Sequence, residues 1–271
     1  MPIISRLLKS KPRITNTIKY NKDISLLLNI QFYSMCRLSV NINKIALIRN
    51  SRKGNHPDLI RAAMDCERFG AEGITVHPRP DQRHVRYSDI PALKEVVQTE
   101  FNIEGYPSED FMNLVCTYLP DQVTLVPDAP DVLTSDSGWN VRADKTFLTA
   151  IITRLKDCGM RVSLFLDPDE DMVYEAKEIG ADRIEFYTGL YAEKFYETGN
   201  SELKKHIRAA KIASDCNLGI NAGHDLNLEN LRNYKTNISG LLEVSIGHGL
   251  ICDAIYMGLE NVIPMYKNQL R

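Results

Sequence analysis

From Arg37 onward the chain alternates eight times between a short β-branched or apolar run and a longer amphipathic segment. No other feature constrains the fold as tightly. Strands separated by helices pair in parallel, because an antiparallel neighbour needs only a tight turn. The spacing predicts strands over residues 38–42, 74–76, 101–105, 122–127, 161–166, 183–187, 218–221 and 241–246. Punctuation between them marks helices. Pro57 and Asp58 open one that Gly70 stops, and a second runs over 89–99. Ser108 caps 109–118, and Phe147, Ile151, Ile152 and Leu155 mark a fourth. Asp167 and Pro168 begin a fifth, which closes at Gly180. A polar helical stretch over 191–214 breaks at Gly199-Asn200, Asn227 caps a short helix, and a last helix spans 250–267. Eight units in about 235 residues predict an α/β fold, a single closed (β/α)8 TIM barrel with extra helical segments. An open doubly wound sheet fits less well, since no glycine-rich G-x-G-x-x-G opens the first helix.

The segment ahead of this pattern differs in composition. Residues 1–36 carry Arg6, Lys9, Lys11, Arg13, Lys19 and Lys22 against the single acid Asp23. Such a basic extension reads either as a transit peptide or as sequence upstream of a start at Met35. The second reading is favoured, because the patterned chain follows at once. The expected division is therefore an N-terminal extension over 1–36, outside the fold, and a catalytic barrel over 37–271. The whole chain balances 33 basic against 35 acidic side chains. That balance gives no global pull toward nucleic acid. No apolar run reaches the length of a membrane span. The six cysteines are scattered without a C-x-x-C, so free thiols and a reducing, cytoplasmic setting are expected.

Active sites of such barrels lie at the carboxyl ends of the strands, and this chain places polar residues there. Strand one delivers Asn41, Asn43 and Lys44. Strand two ends in His77, then Pro78 and Pro80 stiffen a loop holding Arg79, Arg83 and His84. Glu104 ends strand three, and Thr134 follows strand four. Glu185 and Thr188 end strand six, Asn221 and His224 strand seven, and Gly247 and His248 strand eight. Glycines between the last strand and its helix let a phosphate approach backbone N–H groups. Arg52, Arg79 and Arg83 add cations for two phosphates. Carboxyls and imidazoles together supply proton donors and acceptors near neutrality. The pattern points to acid/base chemistry on phosphorylated small molecules, with no metal and no organic cofactor called for.

Six motifs in register then carry a resemblance. Residues 39–46 (SVNINKIA), 73–79 (GITVHPR), 102–104 (NIE), 123–127 (VTLVP), 221–224 (NAGH) and 246–248 (IGH) together resemble the pyridoxine 5′-phosphate synthase family. The resemblance runs from Arg37 to the C-terminus. It implies condensation of 1-deoxy-D-xylulose 5-phosphate with 3-amino-2-oxopropyl phosphate, giving pyridoxine 5′-phosphate, phosphate and water in vitamin B6 synthesis. By resemblance, His77 and Glu104 are general bases, His224 the general acid, and Glu185 a stabiliser of the transition state. Asn41, Arg52, Asp225, Gly247 and His248 hold the aminoketone phosphate. Asn43, Lys44, Arg79, His84 and Thr134 hold the deoxyxylulose phosphate, and Arg83 matches no role. The family's assembly is a homo-octamer, a tetramer of dimers.

This chain departs from the family's pattern twice. Many members carry Asp-His where Asn43-Lys44 stands, and glycine where Asp225 stands. An anionic side chain would repel a phosphate, so Asp225 is expected to contribute its backbone N–H. Three other readings use the same residues: a lyase with Lys44 as Schiff-base nucleophile, a metal hydrolase built on His77, Glu104, His224 and His248, and a phosphometabolite-binding pseudoenzyme.

Overall fold

The computed structural model describes residues 36–128, 137–197 and 200–271. Eight strands follow in sequence order: β1 (Arg37–Asn41), β2 (Gly73–Val76), β3 (Glu100–Gly105), β4 (Gln122–Leu125), β5 (Arg161–Leu166), β6 (Arg183–Tyr187), β7 (Gly219–Gly223) and β8 (Leu241–Ile246). Each pairs in parallel with the next, and β8 closes on β1, with Arg37 opposite Glu243 and Val40 opposite Ile246. The expected (β/α)8 barrel is the observed one.

The strands alternate faces, and the alternation sets where the core lies. Leu38, Val40, Ile74, Val76, Phe101, Ile103, Val162, Leu164, Ile184 and Phe186 are all buried. They belong to the hydrophobic core that also takes in helix residues such as Leu59, Ala63, Leu93, Val115, Leu148, Ile152 and Val173. The intervening positions turn into the lumen, where polar side chains satisfy one another. Ser39 Oγ lies 2.7 Å from Thr75 Oγ1, Asn102 Nδ2 donates to Thr75 Oγ1 at 3.3 Å, and Thr124 Oγ1 donates to Asn102 Oδ1 at 3.1 Å. Below them, Arg37 pairs with Glu100 (2.7 Å) and Glu243 (3.3 Å), and Arg161 pairs with Glu100. The two pairs made by Glu100 join strands that are not neighbours in the sheet and so cross the lumen, while Arg37 and Glu243 pair between adjacent β1 and β8; together they floor the lumen at its amino-terminal end.

Eleven helices surround the strands among the described residues. The first, α1 (Asn43–Asn50), was not expected: it is short, and its start is marked only by Asn41, whose side-chain oxygen accepts from Asn43 N at 3.0 Å. Asp58 caps α2 (Leu59–Arg68) as expected. A 3₁₀ turn (Tyr87–Asp89) leads into α3 (Ile90–Val96), and Ser108 caps α4 (Glu109–Tyr118). After α5 (Lys145–Asp157), α6 (Glu170–Glu178) starts later than expected, because Asp169, rather than Asp167, accepts from the first-turn amides. The polar stretch divides into α7 (Gly189–Glu193) and α8 (Ser201–Asp215), the latter capped by Asn200. Helix α9 (Leu231–Asn237) begins after Asn230, and the Asn227 side chain accepts from Glu229 N at 2.9 Å and Asn230 N at 3.1 Å in the turn that leads into it. The expected last helix is two, α10 (His248–Met257) and α11 (Leu259–Gln269), split at Gly258, whose φ of 78° no β-carbon-bearing residue adopts readily.

Cys36 is buried against the core. The rest of the expected extension, residues 1–35, lies outside the described residues, as does Thr134. No helix among the described residues is long and apolar enough to cross a membrane.

Candidate active site

Above the polar lumen, at the carboxyl ends of the strands, the barrel opens into a cavity of about 530 Å³. Asn41, Asn43, Lys44, His77, Arg79, His84, Glu104, Glu185, His224, Asp225, Gly247 and His248 all line it. One expected residue among those described does not join them. Arg52 lies on the exposed turn after α1 and does not line the cavity. Thr134 is not among the described residues. Asn221 also sits elsewhere: its Oδ1 accepts from Arg183 Nη1 at 3.0 Å, one layer down in the lumen.

Glu104 stands near the barrel axis. Asn41 Nδ2 reaches it from β1 at 3.4 Å and Ser245 Oγ from β8 at 3.5 Å, both across the lumen. Burial pushes its carboxyl up to about 8, and the nearby charge of Asp128 adds to the rise. Glu185 is raised well above the ordinary carboxyl value, first by burial and then by Glu104 and Glu243. A β-carbon at position 223 would fall 2.3 Å from Glu185 Oε1. Glycine on β7 is therefore what leaves room for this carboxyl. We predict that Gly223→Ala displaces Glu185 and lowers turnover at least tenfold, while circular dichroism still reports the barrel; unchanged turnover would refute this packing.

His77 is buried, and Asn43 Oδ1 accepts from its backbone N–H at 2.9 Å. Asn43 thus fixes the end of β2 from the first turn of α1, a task an uncharged acceptor performs. Burial, then Arg79, His84 and Arg83, hold the His77 imidazole well below its ordinary value. An uncharged imidazole can accept a proton at neutral pH. His84 is lowered to about 4 by burial and then by the charges of Lys44 and the arginines. It is a neutral hydrogen-bonding group here.

Cationic capacity rests instead on Lys44, Arg79 and Arg83, all on the cavity wall. Arg79 is buried in an ion pair with buried Asp128. Asp128 was missed by the sequence reading, although a carboxylate three residues beyond the end of β4 sits where barrel sites are built. Arg83, to which the sequence gave no role, is brought in by its loop. Asn50 Nδ2 donates to Arg83 O (3.0 Å) and His84 O (2.6 Å), and Arg49 holds Asp89 through two contacts of 2.8 Å. The end of α1 therefore pins the loop after β2. Leu47, Val126, Phe165 and Ser245 complete the wall and were also unforeseen.

On the far side, His224 Nδ1 lies 2.9 Å from Asp225 Oδ2. Both residues have left-handed backbones, with φ of 87° and 57°. Thr188 does not line the cavity; its hydroxyl donates to the carbonyls of Gly223 and His224. The Tyr187 ring packs edge-on to His224 at 5.0 Å. Beside them Gly247 precedes α10, whose first amides face the cavity rim, and N-terminal amides of a helix suit an anion. Lys44, Arg79 and Arg83 with the helix start give the wall cationic and amide donors that suit phosphate esters.

The sequence model of a family described as pyridoxal phosphate biosynthesis protein PdxJ matches residues 38–271, the whole of the barrel. The chain belongs to the PdxJ family. Relatives carry the same assignment at high identity. A pyridoxine 5′-phosphate synthase from Cytophaga hutchinsonii is 57% identical over 237 residues, which is 88% of this chain and 100% of the relative. The synthases of Phocaeicola vulgatus and Flavobacterium johnsoniae are 52% and 51% identical, again over 88% of this chain and their full lengths. More distant barrels share the fold alone. A phosphoribosylanthranilate isomerase from Thermotoga maritima superimposes with a TM-score of 0.57 at 12% identity, covering 87% of this chain and 98% of that one. A thiamine phosphate pyrophosphorylase from Pyrococcus furiosus gives 0.55 at 11%, covering 88% and 96%. Within the PdxJ family, the sequence resemblance stated above is thus the correct one.

Proposed function

We propose that this PdxJ-family barrel is a pyridoxine 5′-phosphate synthase, joining 1-deoxy-D-xylulose 5-phosphate to 3-amino-2-oxopropyl phosphate. The products are pyridoxine 5′-phosphate, phosphate and water. One observation carries the reading: His77, Glu104, Glu185 and His224, from the ends of four different strands, line a single cavity together with Lys44, Arg79 and Arg83. Forming an imine between two substrates, eliminating water and phosphate, and closing a ring all require protons to be moved repeatedly at fixed positions. A neutral imidazole at His77 and a carboxyl at Glu104 poised near neutrality are suited to take protons. His224, on the opposite wall, gives them back. Glu185, kept neutral, can donate a hydrogen bond to charge that develops on an oxygen.

Lys44 and Arg79 face the deoxyxylulose phosphate in this reading, with Asn43 and His84 beside them. The backbone amides of Asp225, Gly247 and His248, with Asn41, receive the aminoketone phosphate. Holding two reactants in one cavity turns a bimolecular encounter into an oriented one. The catalytic unit in this reading is residues 37–271. A cytoplasmic homo-octamer, a tetramer of dimers, belongs to the same reading. It is supported by exposed Leu47, Ile48, Ile255 and Tyr256, which offer apolar surface for subunit contacts, and by six free cysteines.

The direct test incubates the purified protein with both phosphates and follows pyridoxine 5′-phosphate and inorganic phosphate. Both products should appear together, and neither with one substrate alone; no product from the pair would sink the reading. His224→Asn is expected to lower kcat about a hundredfold or more without changing the thermal melt. A wild-type rate in that variant would remove His224 from its role.

A further inference from the structure

Asp225 stands where an anion is least expected, beside the amides that would receive a phosphate. Its carboxylate, however, is turned toward His224, with Oδ2 2.9 Å from Nδ1. That direction is built into the backbone. Residues 224 and 225 both occupy the left-handed region, in the bend where their two side chains meet. A strained pair of this kind persists only when its surroundings fix it. Here the Thr188 hydroxyl donates to the carbonyls of Gly223 and His224, and Asn230 Nδ2 donates to the Asp225 carbonyl at 3.2 Å. Asn230 is itself buried, and its carbonyl accepts from the hydroxyl of fully buried Tyr191 at 2.8 Å. The bend is therefore anchored to the core between β6 and α9.

We infer that the Asp225 side chain is a positioning residue for His224, holding a proton on Nδ1 so that Nε2 is the nitrogen that exchanges protons with substrate. The inference rests on the synthase reading only for what His224 does with that proton. An imidazole carries one N–H when neutral, and its position follows the hydrogen bond that the other nitrogen makes. With Nδ1–H donated to Asp225, the neutral ring keeps a lone pair on Nε2. When the ring takes up a second proton, that proton sits on Nε2, and the carboxylate faces the resulting positive charge. The hydrogen bond to His224 is the main cause holding the Asp225 carboxyl below its usual range, which agrees with a charged acceptor. Lys44 and His248 are the other cationic groups acting on Asp225. Neither comes within ion-pair distance of it, so His224 is its principal partner.

Two variants tolerate the left-handed backbone and leave the bend intact: Asp225→Gly, which removes the acceptor, and Asp225→Asn, which keeps an acceptor and removes the charge. Nitrogen-15 NMR of the neutral His224 ring, recorded without substrate, reads the tautomer directly. The wild type and Asp225→Asn should show mainly Nδ1–H, and Asp225→Gly should move toward Nε2–H. In turnover, Asp225→Gly should lower kcat about tenfold with KM for the aminoketone phosphate unchanged or lower, since an anion has left the phosphate's neighbourhood. An unchanged tautomer in Asp225→Gly, or a raised KM at full kcat, would overturn the inference. The NMR result separates it from the function proposal: an inactive wild type with the Nδ1–H tautomer would refute the synthase and leave the His224–Asp225 pair standing.

Discussion

Glu104→Gln is expected to lower turnover about a thousandfold and, at neutral pH, to make the protein more stable. Both effects follow from one carboxyl being buried near the barrel axis. Glutamine keeps the shape and both hydrogen-bonding contacts, with Asn41 and with Ser245, but it cannot accept a proton from substrate. The stability effect has a defined sign. In the fold the Glu104 carboxyl titrates at about 8, against an ordinary value of 4.5. Its folded-state value is raised, so its contribution is fully present below about pH 4.5 and is lost as pH climbs through about 8. Glutamine has no such loss. The melting temperature of the variant should therefore draw ahead of the wild type between those pH values and run parallel above them. In kinetics, wild-type kcat/KM should rise with pH through a midpoint near 8, as the base form becomes populated. Glu185 and Glu243 repel the same charge, so that midpoint belongs to the three carboxyls together. The limb should vanish in Glu104→Gln. A full wild-type rate in the variant would show that Glu104 is not the base, whatever the melting data give.

The barrel was legible because its signal is repeated eight times, and an error at one strand end leaves the rest in register. Strands β5, β6 and β8 fall where their apolar runs predict, and α4 begins after its serine cap. One boundary moved where two candidates for a cap compete over a few residues: Asp169 wins over Asp167, because only Asp169 offers its side chain to the first-turn amides. Helix α1 escaped because eight residues carry too few apolar positions to show a period. The site divides along a similar line. Residues at strand ends, such as His77, Glu104, Glu185 and His224, were readable, since strand direction alone places them at one mouth. Residues brought in by loops were not. Arg83 and His84 depend on Asn50 and Arg49 gripping the loop after β2, and Asp128 depends on Arg79. Arg52 sits in a turn that the chain leaves exposed. Electrical state was the least legible of all: nothing in the sequence marks His84 as neutral, and its burial beside Lys44 and two arginines makes it so.

Arg79→Met should be damaging in two separable ways. The first is binding. A guanidinium on the cavity wall can give a phosphate two charge-assisted hydrogen bonds, and their loss should raise KM for the deoxyxylulose phosphate about tenfold to a hundredfold. The second is stability. Arg79 and Asp128 are both buried and form an ion pair, and removing one member leaves the other a charge without its main counterion. Such a cut costs about 3 kcal/mol, a large share of a typical folding free energy. Adding Asp128→Leu to Arg79→Met should recover most of the stability, because two apolar side chains can fill the space of a buried ion pair at little cost. It should recover none of the binding. Denaturant melts and KM values on the wild type, the single and the double variant decide the matter; a KM restored along with stability would mean that Arg79 serves the fold alone. The double variant also reaches back to Glu104. Asp128 is the larger charge acting to raise the Glu104 carboxyl, and Arg79 is a smaller one acting to lower it. With both gone, the rising limb of kcat/KM should move to lower pH. A limb that stays in place would show that burial alone sets the base's titration.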